Sequence, residues 1–384
     1  MRVSICLLSS LIIAGAADAL AQDTRAEAHA AEQQQKASTL TPSVPGRAEQ
    51  TLLKFKRELI DDPNGFYPSF QTVYSGGGMT GGIGYRRYYA PHAFWNVLGS
   101  YSVKGYNLLE VSTTTTDLLD SGITLSLRAG RREATAVEYW GIGNDTLPDG
   151  TSEFEFTQLY AGALAQARIS RFGRIGGGVE YDDYEDTADV PLAAPAFGAS
   201  PDYIHAQAMA AFDSRTSPGY SRVGGLYGAA IHSYRDQNGG ANSFERLDVD
   251  LIQHLPLFRE NWVVSLRGRV QTTLGDDAVP YLLMPSVGGG SSLRGYSSWR
   301  FRDLHTMLTQ AEWRWFPNWD GVDMAFFFDA GKVAPTRDGL DFSGMHTDWG
   351  VGGRFHGAFA TPLRIDLAHG AEGWHLNFSG SAAF

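Results

Sequence analysis

The chain has 384 residues, of which 12% are aromatic and 45 are glycine, and it carries a formal net charge of −11 at pH 7. The acidic balance argues against nucleic acid as a partner, because phosphate binding needs a basic surface. Beyond the N-terminus no segment reaches the roughly 18 continuous apolar residues that a membrane helix needs, which excludes a helical inner-membrane protein.

The N-terminus has the pattern of a secretory signal peptide over residues 1–21. Arg2 supplies the positive charge, residues 3–17 the apolar stretch, and Ala19 and Ala21 the small-residue cleavage site. The single cysteine, Cys6, lies inside this signal and lacks the context of a lipoprotein anchor. We therefore expect an exported mature chain with neither disulfides nor cysteine-ligated metals.

Residues 22–65 differ in composition from the rest of the chain. Their first part is rich in Ala, Gln, Glu, Ser and Thr and is predicted to be disordered. Over residues 47–60, apolar residues are spaced among charges as in a short amphipathic helix, which Pro63 and Gly65 would end. This pattern favours a solvated linker helix over a helix that plugs a lumen or lies on a membrane.

From residue 66 to residue 384 the sequence alternates between apolar and polar residues with period two. In this alternation Val264 and Leu266 would face lipid, whereas Ser265 and Arg267 would face a wet lumen. Sixteen such segments can be counted, an even number, as bacterial single-chain barrels require. They lie near 66–75, 79–89, 93–104, 106–119, 122–139, 152–168, 172–186, 203–213, 222–235, 243–256, 261–274, 300–317, 321–334, 346–357, 362–369 and 374–384.

The connections between these segments alternate between short turns and longer loops, as periplasmic turns and extracellular loops do. The predicted fold is therefore all-β, a transmembrane antiparallel β-barrel of about sixteen strands that forms one domain over residues 66–384. A soluble sandwich would explain the alternation equally well, but it explains the signal peptide, the loop asymmetry and the terminal aromatic residue poorly.

A glycine-rich loop, Gly288-Gly289-Gly290-Ser291-Ser292-Leu293-Arg294-Gly295-Tyr296, lies between two of these segments. Glycine permits tight turns and close backbone approach, and arginine brings five donors and a permanent charge. Such a loop can fold back into a polar lumen and dock through Arg294. By strand parity Glu312 and Asp329 point inward and are its candidate partners. The alternative is that Arg294 sits in a solvated surface loop.

This loop, Glu312 and the run Phe327-Phe328-Asp329-Ala330-Gly331 together resemble the hallmark of the BamA/TamA surface-antigen superfamily of outer-membrane barrels. The resemblance implies that Arg294 pairs with Asp329, the acidic residue of an F-x-D-x-G motif on the inner wall. It assigns the remaining residues of the loop motif as well, namely Gly289, Gly290, Leu293, Gly295 and Tyr296. The last strand, which ends in Phe384, resembles the C-terminal signal that the outer-membrane assembly machinery reads.

The resemblance implies the bacterial outer membrane as the location, with its lipid and lipopolysaccharide as surroundings. It also implies the assembly machinery as a partner for the protein's own insertion and a polypeptide client for insertion or translocation. Members with such activity usually carry periplasmic POTRA modules, and residues 22–65 are too few for one, so we expect a POTRA-less relative. Two other functions stay open: a gated or plugged pore, and a structural barrel that scaffolds another envelope protein.

The motifs of common enzyme classes do not occur in the sequence, so we expect neither catalysis nor a cofactor. The run Asp182-Asp183-Tyr184-Glu185-Asp186 has closely spaced carboxylates, which suit a hard cation. It lacks the regular spacing of a calcium loop and is interpreted as a solvated extracellular strand end. The ten histidines show no ligand spacing either, and no metal site is expected.

Overall fold

The structure is a computed structural model that describes residues 63–379 apart from 119–120, 149–150, 189–196, 199, 218–219, 258–260, 276–278, 318–320, 356–360 and 362. The expected signal peptide, the helix predicted over 47–60 and Phe384 lie outside the described residues. Within the described part of the chain, no helix is long and apolar enough to cross a membrane.

Sixteen strands form one antiparallel sheet in which each strand pairs with its neighbours in chain order. They are β1 (Gly65–Ser69), β2 (Thr80–Ala90), β3 (Ala93–Ser102), β4 (Asn107–Thr115), β5 (Ile123–Tyr139), β6 (Ser152–Arg168), β7 (Gly173–Thr187), β8 (Asp202–Asp213), β9 (Gly224–Asp236), β10 (Phe244–Pro256), β11 (Trp262–Leu274), β14 (His305–Trp315), β15 (Val322–Ala334), β16 (His346–Phe355), β17 (Leu363–Gly370) and β18 (Gly373–Ser379). Each lies on one of the sixteen predicted segments, so the predicted all-β fold class is confirmed.

The connection between β11 and β14 contains a second, two-stranded sheet of β12 (Ser286–Val287) and β13 (Phe301–Arg302). The prediction of one continuous strand over 300–317 is wrong at its start, because residues 301–302 pair with 286–287 instead of with β11. Asp303 separates β13 from β14, and its amide donates to the carbonyl of Pro285 at 3.2 Å. This small sheet closes the base of the glycine-rich loop.

The pleat of the strands produces the predicted two faces, since successive side chains of a strand point to opposite sides. On β15, Asp323, Phe327 and Asp329 are buried, whereas Phe326 and Phe328 are exposed on the outer face. The same alternation runs along the other strands, and the exposed residues of the outer face are mostly large and apolar. An apolar outside around a polar inside is the pattern of a barrel that meets lipid.

Aromatic side chains pack inside the sheet at the end of the strands where the long connections lie. Tyr106, Phe154, Tyr203, Phe244 and Tyr281 belong to this buried cluster, and each lies at or next to a strand end or in a long connection. Tyr281 comes from the β11–β14 connection and makes an edge-to-face contact with Phe154, with ring centroids 6.0 Å apart. The cluster therefore packs this connection against the inner wall.

Within the described residues β1 and β18 do not pair with each other, so the sheet is open between its first and last strands. Both ends nevertheless line one cavity of 760 Å³. Ser75 and Gly76, from the connection after β1, contribute to its wall, as do Asn377 and Phe378 of β18. The lining is completed by Gly290 of the glycine-rich loop and by residues 296–299, at the end of the loop and just after it.

Candidate functional site

The glycine-rich loop owes its tight path to backbone conformations that favour glycine. Gly288 and Gly289 have φ angles of 124° and 94°, in the left-handed region that other residues rarely adopt. The Gly289 amide lies 3.0 Å from the carbonyl oxygen of Leu293 and 3.1 Å from that of Tyr296. The Gly288 amide donates to the Ser292 hydroxyl at 2.8 Å. These bonds close the loop on itself and present Arg294 at its tip.

Gly295 allows the tip to approach the inner wall more closely than any other residue would. A Cβ atom at this position would lie 2.5 Å from the Cβ of Asp348 and 2.6 Å from the amide nitrogen of Gly370. Leu293 and Tyr296, on either side of the tip, are buried in an apolar cluster with Phe301 and Leu308. Packing on both flanks thus holds Arg294 in one position.

Arg294 is fully buried and reaches two carboxylates on neighbouring strands. Its Nε and Nη2 donate to the two oxygens of Asp329 at 2.7 Å each, a bidentate pair, and Nη1 donates to Glu312 Oε1 at 2.5 Å. The guanidinium also stacks on the ring of Phe327, 3.5 Å from its centroid. Burial alone would lower the pKa of Arg294, but Asp329 and Glu312 outweigh burial and raise it above its ordinary value.

Further arginines extend this contact into a network over β14 to β17. Arg354 donates to the same Glu312 oxygen at 2.5 Å, and Asp366 lies 3.0 Å from Nε of Arg364 and 3.5 Å from Nη1 of Arg294. Each of these side chains is almost completely buried. Opposite charges lie side by side, and their attraction offsets part of the large desolvation cost of burying ions. The sequence analysis did not identify Arg354, Arg364 and Asp366 as members of this network. Their inward positions in the period-two alternation of β16 and β17 could have indicated them.

Asp348 differs from Glu312, Asp329 and Asp366 because no described arginine forms an ion pair with it. It lies directly opposite Asp329 in the β15–β16 register and is buried, yet neither of its side-chain oxygens has a hydrogen-bond partner in the described residues. A second carboxylate beside Asp329 adds repulsion that Arg294 must offset.

The loop also contacts both open ends of the sheet. On the β18 side, the Asn377 side-chain amide donates to the Arg294 carbonyl at 2.8 Å. On the β1 side, the hydroxyl oxygens of Ser75 and Ser298 lie 3.0 Å apart, and the indole of Trp299 donates to the Ser75 carbonyl at 2.9 Å. Trp299 stacks on Tyr74 with ring centroids 4.8 Å apart. The glycine-rich loop and the residues that follow it therefore contact both β18 and the connection after β1, the two sides of the opening.

A family profile described as the Omp85 superfamily domain matches residues 224–382, which contain β9 to β18 and the whole glycine-rich loop. The chain carries an Omp85 superfamily domain. The resemblance to BamA/TamA-type barrels is thereby confirmed, and Arg294, Glu312 and Asp329 all lie within the matched Omp85 region. No curated protein sequence matches the chain significantly.

Solved structures with the same fold as this chain include BamA from Haemophilus ducreyi lacking POTRA domains 1–3. It matches with a TM-score of 0.59 and 14% identity over 82% of this chain and 68% of that one. CdiB from Escherichia coli matches with a TM-score of 0.56 and 12% identity over 82% of this chain. CdiB from Acinetobacter baumannii matches with a TM-score of 0.53 and 12% identity over 78%. The chain spans 60% and 56% of the two CdiB chains. At such identities the likeness establishes the fold alone.

The acidic run of residues 182–186 is not the solvated strand end that the sequence predicts. Asp182 and Asp186 are buried on the inner face of β7, and only Glu185 is fully exposed. The strand alternation explains the error, because every second residue of an acidic run on a barrel strand turns inward. Sequence spacing did not reveal which side chains Asp182 meets on the neighbouring strands.

Proposed function

We propose that this Omp85-type barrel assists the insertion or translocation of a polypeptide client at the bacterial outer membrane, and that the Arg294 loop acts as a latch between its first and last strands. The observation that carries the proposal is the double attachment of the loop, to Ser75 on one side and to Asn377 on the other. The superfamily match and the BamA-like fold support a protein-handling barrel.

The physical basis is the pair of strand edges on either side of the opening. An unpaired edge presents a row of backbone N–H and C=O groups that another strand can pair with. In the closed arrangement the loop spans the opening between β1 and β18, and release of the loop would make both edges accessible to a client strand. The buried charge network on β14 to β17 sets the free energy of that release.

The outer face supports a position in a lipid bilayer. Three tryptophans, Trp262, Trp313 and Trp315, cluster at the short-turn ends of β11 and β14, with Trp262 stacked on Trp315 at 5.7 Å. Tryptophan rings favour the level of the lipid headgroups, so this end of the strands would lie at a membrane surface. Lipid, lipopolysaccharide and the outer-membrane assembly machinery are the surroundings and the assembly partner that we propose.

A disulfide lock across the latch gives a direct test. The hydroxyl oxygens of Ser75 and Ser298 are 3.0 Å apart, so cysteines at both positions lie close enough to form a bridge. Cys6, the single natural cysteine, lies in the expected signal peptide, so protein prepared without residues 1–21 has no competing thiol. The Ser75→Cys/Ser298→Cys variant would be placed in liposomes, and folding of an unfolded barrel client would be timed under oxidising and reducing conditions.

We expect the wild type and the reduced variant to accelerate client folding relative to empty liposomes, and the oxidised variant to lose the acceleration. The Ser75→Cys single variant controls for the substitution itself. It should accelerate client folding equally under oxidising and reducing conditions. Equal acceleration by oxidised and reduced double variant would contradict the latch. No acceleration by folded wild type would contradict insertion altogether.

A gated pore is the second candidate, and one observation favours it. Under the loop lies a cavity of about 320 Å³, and the described residues of its wall include Arg132, Arg246 and Arg269 but no carboxylate. A cationic constriction closed by the loop would pass anions when the loop opens. Conductance of planar bilayers separates the two functions, because a pore requires an anion-selective current that rises in the Arg294→Ala variant.

A further inference from the structure

Two histidines that are far apart in the chain meet on the inner wall of the barrel, between two carboxylates. His205 on β8 lies between Asp182 on β7 and His232 on β9, with Nδ1 3.7 Å from Asp182 Oδ2 and Nε2 3.0 Å from His232 Nδ1. The other nitrogen of His232, Nε2, lies 3.9 Å from Asp248 Oδ2 on β10. The four side chains thus form a row across four adjacent strands.

The row has one hydrogen too few, whichever tautomers the histidines adopt. Two neutral imidazoles carry two N–H groups, and the contact between His205 and His232 uses one of them. The remaining N–H can face only one of the two carboxylates, so a nitrogen lone pair faces the other. Asp248 has other donors, since Arg246 and Gln271 contact it at 2.8 Å and 2.9 Å. Asp182 Oδ2 has no such second donor among the described residues, so it needs either that N–H or a bound cation.

Asp182 is 1% exposed, and its two oxygens differ in their contacts. Gln158 donates to Oδ1 at 2.8 Å, whereas Oδ2 accepts no hydrogen bond in the described residues. The 3.7 Å between Oδ2 and His205 Nδ1 is too long for a hydrogen bond. It is close to the roughly 3.4 Å that separates two ligands of a tetrahedral Zn²⁺ with bonds of about 2.1 Å.

Glu180 supplies a third ligand atom at the same place. One ligand atom each from Glu180, Asp182 and His205 lie within 4.8 Å of one another. Arg128 donates to both Glu180 oxygens, at 2.6 Å and 2.9 Å, but a carboxylate has about four lone-pair sites and can also bind a metal ion. The ring of His205 is held in place by stacking on Tyr234, with centroids 4.1 Å apart.

We propose that Asp182, Glu180 and His205 form a binding site for a divalent transition-metal ion of the Zn²⁺ type on the inner wall of the barrel. One imidazole and two carboxylates are a ligand set that such ions accept, with water completing the coordination. His205 binds through Nδ1 and donates its Nε2–H to His232, whose own N–H then faces Asp248. This is the outer-shell arrangement that orients metal-bound histidines. The site replaces the expectation of no metal, which rested on spacing along the chain.

Binding of the metal ion alone tests the proposal. Untagged protein, folded in detergent micelles and stripped with a chelator, would be titrated with ZnCl₂ by calorimetry, and Co²⁺ would be added separately to read coordination from its visible absorption. We expect one saturable site in the wild type. Asp182→Asn and His205→Gln should weaken the affinity by at least tenfold, and His232→Gln by about 10–100-fold, the usual effect of an outer-shell ligand.

His254→Ala is the matched control, because His254 is also a buried histidine, on β10, where it bonds to Ser265 at 2.8 Å. It should leave the affinity unchanged. Heat-modifiable electrophoretic mobility verifies that each variant is folded. Two results would overturn the proposal: no saturable Zn²⁺ binding by the wild type, which needs no variant to fold, or equal losses in His205→Gln and His254→Ala. The first result would mean that a histidine N–H or an added proton, and not a metal ion, faces Asp182.

Discussion

Replacing Arg294 with alanine removes the guanidinium that Asp329 contacts, and the structure sets the size of the expected effect. Glu312 keeps Arg354 at 2.5 Å and Asp366 keeps Arg364 at 3.0 Å, so only Asp329 is left without a cation. Breaking one buried ion pair costs about 3–5 kcal/mol. The bond from Gln310 to Asp329, at 3.1 Å, remains and compensates by about 1 kcal/mol. We therefore expect the docked loop to be destabilised by about 3 kcal/mol.

Limited proteolysis of the β11–β14 connection measures this change. A loss of about 3 kcal/mol raises the open population of the loop about 100-fold, since 1.4 kcal/mol is tenfold. The cleavage rate follows that population when opening and closing are faster than cleavage. Arg235→Ala is the control, because Arg235 pairs with Glu245 at 2.5 Å on the exposed surface, where such pairs contribute about 0–1 kcal/mol. An unchanged cleavage rate in Arg294→Ala, or an equal rise in Arg235→Ala, would refute the reasoning.

Four further substitutions test the same site from other directions. Gly295→Ala places a Cβ 2.5 Å from the Cβ of Asp348 and should displace the tip of the loop. We expect faster cleavage, corresponding to a destabilisation of the docked loop by about 1–3 kcal/mol. Cleavage at the wild-type rate would mean that the tip tolerates a side chain. Asp348→Asn should leave cleavage unchanged or slow it, because it removes repulsion, whereas Asp329→Asn should accelerate it; equal effects would show that the two carboxyl groups are equivalent. Trp299→Ala removes the contacts to Ser75 and should lower the yield of the disulfide between cysteines at 75 and 298 under mild oxidation, and an unchanged yield would assign that contact to the serines alone.

Much of the barrel could be predicted because a strand encodes its two faces locally. Alternation with period two depends only on the pleat of the backbone, so it identified all sixteen strands of the sheet and the inward positions of Glu312 and Asp329. The small sheet of β12 and β13 escaped this reasoning, because two-residue strands are too short to show a period. Its pairing depends on where the long connection folds back.

The sequence by itself determined which residues face inward, and it supplied a glycine-rich loop able to turn tightly and carry one arginine into the lumen. Only the tertiary structure decided which inward residues meet. The register between neighbouring strands brings Arg354 to Glu312 and His205 to His232, and register follows from strand pairing and connection lengths, not from spacing along one strand. For the same reason the sequence alone predicted a solvated strand end for the acidic run around Asp182, whereas the sheet buries that carboxylate beside a histidine from the next strand.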